Sequence, residues 1–529
     1  MATFEDYFRY TSGRWIHDEQ RYQRMRYQRF NVNALKHLAM KSVKANGVDA
    51  MSKLGEGKNN NVFHVKLDNG HQVIARIPTP ISGPKHLVTA SEVATMRFLR
   101  ERLGLAQVPR ILSSSSRAAE TAVGAEFIIM DVADGIELDT VWQKMSMNQK
   151  IDVVHQWVRF EAKVTGAFSG GGYGSLYYRK DVPAHLARDV FLNDGTKDDE
   201  FVLGPSTRPH AYGFWEDQYG HPADIVLDRG PWGDVPSYLK SITNCERAWI
   251  SKYAKAPTPT KFTAPWDPPA HLRIPEDHIA LLDTYDKVAK YFIPDADERY
   301  IRPCMTLLDS NPCNIFLSRE AFERDGTVEI SAVIDWQHTA VLPLYVTALF
   351  PRFITDAERP PVQELEALEK EQAYLRKAYY EFYHDANIDR VWASALSFPD
   401  KWTMDQLLPI AAQQCWHGGY PRLKRELIYA VKEWKTVADT AEECPISFSE
   451  QDSMAQAKDD VEASVAAEEI LEGLEMRIGV QRDGWVANKD FERASQTNRR
   501  LREVWRATVK GDELFRGTEI EDVWPFGNK

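Results

Sequence analysis

Residues 305–336 read MTLLDSNPCNIFLS, then a polar segment, then EISAVIDW. In the first part, Asp309 is followed five positions later by Asn314, which leads into a short apolar strand. In the second part, another apolar strand ends at Asp335. The two strands predict a hairpin joined by the loop Ser318–Glu329, with Asn314 entering it and Asp335 leaving it on the same side.

The three polar side chains of this hairpin are those that phosphoryl transfer requires. An Asp orients the acceptor hydroxyl and takes its proton, while an Asn and an Asp hold Mg²⁺ on the phosphates of the nucleotide. Mg²⁺ takes few protein ligands and completes its shell with water and phosphate oxygen atoms. Asp and Asn are also ordinary turn residues, so the spacing alone is weak evidence and the upstream sequence has to decide.

A glycine-rich turn lies near the N-terminus, where residues 54–63 read LGEGKNNNVF between two segments of strand-like alternation. Gly55 and Gly57 would let backbone N–H groups approach phosphates without a Cβ in the way. Asn60 stands where a third glycine is expected, and Asn tolerates a positive φ better than most residues. A plain hairpin turn explains this pattern equally well.

Two residues of opposite charge follow this turn, the first on a predicted strand and the second on a predicted helix. The strand over residues 72–78 carries Arg76, and the helix predicted over Ser91–Arg102 carries Glu92. A strand cation paired with a helix carboxylate would be held against the α- and β-phosphates of a nucleotide. Arg stands where protein kinases have Lys; it keeps the charge, but its planar fork is not equivalent. A surface ion pair of little consequence is the alternative, and the order behind the glycine turn favours the functional interpretation.

Residues 126–135 read EFIIMDVADG, which predicts a buried strand that runs into a polar break. This segment would join a small β-rich lobe to a larger helical lobe. The backbone groups of Asp131 and Ala133 would then meet the edge of an adenine. An ordinary core strand that ends in a turn is an equally good interpretation of this segment alone.

The chain divides into four predicted regions. Residues 1–50 form an N-terminal helical extension, residues 51–134 a β-rich lobe, residues 135–440 a helical lobe, and residues 441–529 a C-terminal helical extension. An insertion at about 169–270 within the helical lobe is rich in Trp, Tyr, Gly and Pro. It predicts either a wall for the acceptor substrate or a structural flap packed on the helical lobe.

Composition excludes several classes of function. The chain has 65 Lys and Arg against 77 Asp and Glu, a net charge of −12, which disfavours a nucleic acid partner. The sequence contains no run of about 18 apolar residues, so it predicts no membrane span. Five scattered cysteines without a C-x-x-C pair disfavour zinc ribbons and disulfide frameworks. The first residues predict neither a signal peptide nor a convincing transit peptide.

With the glycine turn, the Arg–Glu pair and the hairpin in this order, residues 50–435 resemble the aminoglycoside phosphotransferase and choline kinase-like family. A closer resemblance is to the fungal kinase-like proteins of the altered-inheritance-of-mitochondria type, through the segments YTSGRW, GSLYY, RGPW, IDWQHT and DGWV. The resemblance implies an α+β, bilobal protein-kinase-like fold with a small β-rich N-lobe and a large helical C-lobe. It also implies ATP and Mg²⁺ as cofactors, a small-molecule acceptor, and a mitochondrial location, with the cytoplasm as the alternative.

The roles that the family assigns fall by position on residues of this chain. Asp309 is the expected catalytic base, and Asn314 and Asp335 are the expected Mg²⁺ ligands. The expected nucleotide-binding positions are Gly55, Gly57, Asn60, Arg76, Glu92, Met130, Asp131 and Ala133.

Two functions follow from this resemblance. The first is ATP- and Mg²⁺-dependent transfer of the γ-phosphate to a hydroxyl of an unidentified small molecule. The alternative is a catalytically impaired pseudokinase that acts as a nucleotide-binding interaction protein. Leu307, which stands where the family usually has His, favours this alternative, as does Arg76 in place of Lys. Protein partners and the acceptor are not indicated by the sequence.

Overall fold

The computed structural model is a mixed α+β structure with a β-rich N-terminal lobe and a larger helical lobe, which confirms the predicted fold class. A buried apolar core fills the helical lobe and extends into the β-rich lobe, where Ile74 and Met130 belong to it. The structure describes residues 4–57, 59–208, 225–256, 264–294, 298–307, 309–355, 365–385, 388–397, 401–438, 440–509 and 524–527.

The N-terminal segment covers the outer face of the β-rich lobe. Its elements are β1 (Gly13–Trp15), α1 (Glu19–Arg26) and α2 (Val32–Ser42). Asn31 is the N-cap of α2, since its side chain accepts the N–H of Ala34 at 3.1 Å. Leu35 on the apolar face of α2 is fully buried in one cluster with Phe63 and Val65 of the sheet.

A five-stranded antiparallel sheet forms the β-rich lobe. Its strands are β2 (Val48–Glu56), β3 (Asn60–Leu67), β4 (Gln72–Pro78), β5 (Ile111–Ser115) and β6 (Phe127–Asp131). Their order in space is β2-β3-β4-β6-β5. Side chains alternate between the two faces of the sheet. Phe63 and Val65 therefore face α2, whereas Val62 and Ile74 belong to the core shared with the helical lobe, as do buried residues of α3 (Leu87–Glu101).

Beyond β6 the chain enters the helical lobe. The first elements are β7 (Ile136–Glu137), α4 (Leu138–Trp142) and α5 (Met147–Thr165). Helix α5 begins with a capping box, because Ser146 and Gln149 each accept the backbone N–H of the other. Trp157 and Val158 of α5 are buried in the main core.

The insertion begins with a four-stranded sheet whose order in space is β8-β10-β11-β9. Its strands are β8 (Phe168–Gly170), β9 (Ser175–Tyr178), β10 (Arg188–Leu192) and β11 (Lys197–Gly204), and α6 (Val235–Tyr253) follows. Helices α7 (Pro275–Val288) and α8 (Glu298–Ile301) lie beyond the predicted end of the insertion at about residue 270. Tyr177 and Val202 of this sheet are buried with Ala90 of α3. Residues 209–224 and 257–263 of the insertion lie outside the described residues.

The predicted hairpin is present. The strands of this region are β12 (Pro303–Thr306), β13 (Ile315–Leu317), β14 (Ile330–Val333) and β15 (Ala340–Pro343). β13 lies between β14 and β7, and both neighbours are antiparallel to it. The connection expected as a loop contains instead helix α9 (Arg319–Asp325). Ser318 accepts the N–H of Ala321 as the N-cap, and Gly326 with φ 74° ends the helix.

Helices dominate the rest of the chain. They are α10 (Leu344–Thr347), α11 (Arg352–Thr355), α12 (Leu365–Asp385), α13 (Arg390–Ser397), α14 (Lys401–Gln413), α15 (Tyr420–Lys432), α16 (Trp434–Val437), α17 (Met454–Ile478) and α18 (Phe491–Val509). Strand β16 (Trp485–Ala487) pairs antiparallel with β1, so the N-terminal and C-terminal segments meet in one small ribbon. None of the helices that the structure describes has the length and hydropathy needed to cross a membrane.

Candidate functional site

The hairpin brings Asn314 and Asp335 to the same end of two paired strands. Ile315 lies opposite Val333, and the N–H of Ile334 donates to the carbonyl of Asn314 at 2.9 Å. Asp335 is the next residue. The amide nitrogen of Asn314 donates to the backbone carbonyl of Asp309 at 3.1 Å. The expected catalytic base and the two expected Mg²⁺ ligands therefore lie in one connected group.

Asp335 lies where the helical lobe meets the β-rich lobe, a region called the cleft below. Its backbone has φ 60°, a left-handed conformation that is uncommon for a residue with a side chain. Its carboxylate oxygen Oδ1 is 3.5 Å from Nη1 of Arg76, and its side chain is 40% exposed. Burial raises the pKa of Asp335, the charge of Arg76 lowers it, and the nearby charge of Asp309 raises it again.

Arg76 connects the two lobes. It is 7% exposed on β4 and forms an ion pair with Glu92 of α3, which is 2% exposed. Its second contact is with Asp335 of the hairpin. Burial lowers the pKa of Arg76, while the charge of Asp335 raises it. One guanidinium is thus shared by a helix carboxylate and a hairpin carboxylate, an arrangement that presents a buried positive charge beside Asp335.

Asp309 has a different environment from Asp335. Its Oδ1 accepts a hydrogen bond from Nη1 of Arg352 at 3.0 Å, and both side chains are 43% exposed. The backbone N–H of Arg352 donates to Oγ of Ser310 at 2.8 Å, so α11 is joined to this loop at two points. Sequence reasoning missed Arg352, because nothing in the spacing relates position 352 to position 309. The contact is made by the packing of α11 against the loop.

The glycine-rich turn has open space where a ligand would approach. The N–H of Gly57 donates to the carbonyl of Asn60 at 3.2 Å, which closes the turn. A Cβ added at Gly55 or Gly57 would meet no protein atom within 4 Å, and neither glycine has a positive φ. Neither the backbone conformation nor protein packing therefore requires glycine here. The remaining physical reason for glycine at these two positions is close approach of a ligand to the backbone.

Glu56, between the two glycines, binds the N-terminal segment. Its Oε2 accepts hydrogen bonds from the N–H of Thr11 at 2.6 Å and from Oγ of Ser12 at 2.9 Å. The side chain of Lys53 forms an ion pair with its other oxygen. The carbonyl of Thr11 in turn accepts from Nδ2 of Asn488 at 2.7 Å. The ribbon formed by the two chain ends thus supports the glycine-rich turn from outside the cleft.

Asn60 bonds across the cleft. Its Nδ2 donates to Oε1 of Gln337 at 2.8 Å, and both residues are buried. Gln337 lies two positions after Asp335, and its backbone lowers the pKa of the Asp335 carboxyl. Sequence reasoning placed Asn60 in the phosphate turn but missed Gln337, since a lone glutamine after Asp-Trp gives no chemical signal.

The expected hinge lies at the other end of the inner sheet face. Met130 is opposite Ile74 in the register of β4 and β6. The N–H of Asp131 is occupied by the carbonyl of Arg110 at 3.0 Å, and the Asp131 carboxylate is 3.2 Å from Nε of Arg110. Within the described residues the N–H of Ala133 has no hydrogen-bond partner. Along β4, Arg76 lies two residues beyond Ile74, the partner of Met130. Arg76 therefore lies between the hinge positions and the hairpin group.

Comparison with known proteins gives relatives along nearly the whole chain, although no family model matches. A subtelomeric hrmA-associated cluster protein of Aspergillus fumigatus is 29% identical in an alignment 512 positions long; the alignment covers 88% of this chain and 94% of that protein. Altered inheritance of mitochondria protein 9 of Yarrowia lipolytica is 23% identical in an alignment 533 positions long, which covers 92% of this chain and 85% of that protein. The predicted resemblance is confirmed. The similarity to the Yarrowia lipolytica protein covers most of the chain rather than one motif.

Solved structures with a likeness to this chain are phosphotransferases and kinases. Aminoglycoside phosphotransferase APH(4)-Ia has a TM-score of 0.35 at 13% identity, covering 78% of this chain and 100% of that chain. A putative fructosamine-3-kinase from Thermobifida fusca has a TM-score of 0.33 at 12% identity, covering 83% and 99%. Because these TM-scores are low, the chemistry of the site has to be inferred from its own residues.

Proposed function

We propose that this protein is an ATP- and Mg²⁺-dependent phosphotransferase that transfers the γ-phosphate to a hydroxyl group of a small molecule. The observation that supports this proposal is the convergence of Asp309, Asn314 and Asp335 at one end of a hairpin, beside the buried pair of Arg76 and Glu92. Phosphoryl transfer is achieved mainly by positioning and by electrostatic stabilisation of the phosphates, and these residues supply both.

The oxygen atoms of Asn314 and Asp335 fit Mg²⁺ in their chemistry. Mg²⁺ prefers oxygen ligands and is bound by one or two protein side chains together with phosphates and water. In the described part of the chain, no group of three or more His, Cys, Asp and Glu side chains is placed to hold a metal. The donor set thus suits Mg²⁺ on a nucleotide better than a zinc site, which requires N or S ligands. Bound there, Mg²⁺ would neutralise charge on the phosphates.

The transfer step uses the carboxylate of Asp309. Arg352 holds Oδ1 of this carboxylate, and the other oxygen accepts the proton of the acceptor hydroxyl. The hydroxyl oxygen forms a bond to the γ-phosphorus, while the bond between that phosphorus and the β–γ bridging oxygen breaks. ADP leaves with the electron pair of the broken bond. Arg76, which forms an ion pair with Glu92, would stabilise the inner phosphates during this step.

The substitution Asp309→Asn tests the proposal. We expect turnover to fall by about 10²- to 10⁴-fold, because the amide cannot accept the proton, while ATP affinity stays within about twofold. The measurement is transfer from γ-labelled ATP to a panel of metabolites that carry hydroxyl groups, together with calorimetric titration of ATP. Asp152→Asn, an exposed carboxylate on α5, is the matched control. Turnover by Asp309→Asn equal to that of the wild-type protein would contradict the proposal.

A nucleotide-binding protein without transfer activity is a second candidate. The ion pair between Asp309 and Arg352 favours it, because one oxygen of the expected base is already occupied. Leu307 in place of the usual His favours it as well. The same panel decides between the two candidates. Mg²⁺-dependent ATP hydrolysis or transfer to any acceptor by the wild-type protein, lost in Asp309→Asn, excludes the second candidate.

We also propose a mitochondrial location. Its support is that several relatives at 22–24% identity are named as mitochondrial proteins. Subcellular fractionation of cells that express the full-length protein tests this proposal. Recovery with the cytosolic fraction alone would contradict it.

A further inference from the structure

Asn60 and Gln337 form a buried amide pair between the glycine-rich turn and the hairpin. The bond from Asn60 Nδ2 to Gln337 Oε1 is 2.8 Å, and the two residues are 8% and 7% exposed. Each amide has a second buried polar atom, Oδ1 of Asn60 and Nε2 of Gln337, for which the described residues offer no hydrogen-bond partner. Buried amide groups are usually fully hydrogen bonded. Two buried polar atoms of the pair therefore lack hydrogen-bond partners, and a bound ligand would supply a partner.

The sheet register gives the position of this pair along the cleft. Met130 at the expected hinge is opposite Ile74 of β4, and Asn60 is opposite Pro78, four residues further along the same strand. Arg76 lies midway, about 7 Å from each of these rows, since a strand rises about 3.4 Å per residue. Under the proposed function the base lies at the hinge row and the inner phosphates lie at the Arg76 row. The terminal phosphate would then lie at the next row, that of Asn60 and Pro78.

We propose that Asn60 and Gln337 recognise the terminal phosphate of a bound nucleoside triphosphate, an inference that rests on the proposed function. In either orientation of the two amides that preserves their mutual bond, one NH₂ group faces away from the pair. This group donates to an oxygen of the terminal phosphate. Hydrogen bonds to a charged acceptor are about twice as strong as neutral ones. The pair therefore distinguishes a triphosphate from a diphosphate.

Gln337 has a second relation to this site that supports the assignment. It lies two positions after Asp335, the expected Mg²⁺ ligand. The side chain of Gln337 and the carboxylate of Asp335 are thus fixed by the same short segment. A shift of one displaces the other, so the pair also positions the glycine-rich turn relative to the hairpin.

The test compares ATP and ADP affinities, each with Mg²⁺, by calorimetric titration. We expect Gln337→Ala to weaken ATP binding roughly tenfold and to leave ADP binding within about twofold, because only the triphosphate loses its donor. Asn60→Ala should give the same selective loss and serves if Gln337→Ala does not fold. Gln156→Ala is the matched control, since its amide bonds only backbone groups of Val328 and Ile330, at 2.7 and 3.0 Å.

The outcomes separate this inference from the proposed function. If the wild-type protein binds ATP and both variants weaken ATP and ADP equally, or weaken neither, the terminal-phosphate assignment is overturned and the proposed function stands. If the wild-type protein binds neither nucleotide, the proposed function is overturned and this inference with it.

Discussion

Two groups of carboxylate side chains, one in the cleft and one in the helical lobe, are stabilised in opposite ways. In the cleft, Glu92 and Asp335 share the guanidinium of Arg76. In the helical lobe, Glu246 on α6 is 1% exposed and has no ion-pair partner among the described residues. Its Oε2 accepts the N–H of Trp416 at 3.3 Å, and burial raises its pKa to about 8.

The two groups differ in whether their carboxyl groups are ionised. A buried carboxyl without a cation is stabilised by holding its proton, because the neutral form needs no compensating charge. A buried pair of opposite charges is costly to desolvate and is weak evidence for stability. The cleft nevertheless has three charged side chains together, two of them nearly fully buried. Under the proposed function, these charges contact the phosphates and Mg²⁺ of the bound nucleotide.

Removing the helix carboxylate of the cleft should have the largest effect on stability. Glu92→Gln removes the charge next to the buried Arg76, which leaves Asp335, 3.5 Å away, as the one charged partner of Arg76 among the described residues. We expect this change to lower the free energy of unfolding by about 3 kcal/mol. Chemical denaturation followed by tryptophan fluorescence measures this change. Glu101→Gln on the same helix is the control, because its pair with Arg97 is exposed and should contribute less than about 0.5 kcal/mol.

Equal stability of Glu92→Gln and the control would remove the distinction between the two groups. It would show that Arg76 needs no partner on α3, so the fixed cation expected at the inner phosphates would lose its support.

The carboxyl in the helical lobe gives an effect that depends on pH. Glu246 has an ordinary pKa near 4.5 when unfolded and about 8 when folded, so the folded state binds the proton more tightly. Stability therefore falls as the pH rises through this window, by a few kcal/mol in order of magnitude. Glu246→Gln cannot ionise, so we expect it to match the wild-type protein at about pH 5 and to exceed it at about pH 9.

The measurement is the free energy of unfolding against pH for both proteins. Glu369→Gln, an exposed position on α12, should follow the wild-type curve and serves as the control. If Glu246→Gln ran parallel to the wild-type protein over the whole range, Glu246 would be ionised in the folded state, and the two groups of carboxylates would not differ.

The sequence predicts the hairpin and the order of the charged residues, because both depend on local patterns. Asn314 and Asp335 flank two short apolar strands, and Arg76 and Glu92 follow the glycine-rich turn within 35 residues of it. Helix α9 within the expected loop escaped prediction, although its N-cap and its terminal glycine both agree with ordinary capping rules.

Contacts between distant segments were not predictable in the same way. Arg352 meets Asp309, Gln337 meets Asn60, and Glu56 meets the N-terminal segment only after the lobes pack together. Side chains of this kind have no periodic signal in the sequence. Which of them come into contact depends on tertiary packing. These contacts therefore cannot be predicted from a single sequence.

The most direct test of the central claim is the effect of ATP on thermal stability with and without Mg²⁺, in the wild-type protein and in Asp335→Ala. A ligand at 100 times its Kd stabilises the folded state by about 2.7 kcal/mol. We expect ATP with Mg²⁺ to raise the Tm of the wild-type protein well above the value with ATP alone, and we expect Asp335→Ala to lose this Mg²⁺-dependent increase. Asp199→Ala, an exposed carboxylate on β11, should retain it. A wild-type Tm that does not respond to ATP and Mg²⁺, or an equal Mg²⁺-dependent increase in Asp335→Ala, would contradict the account.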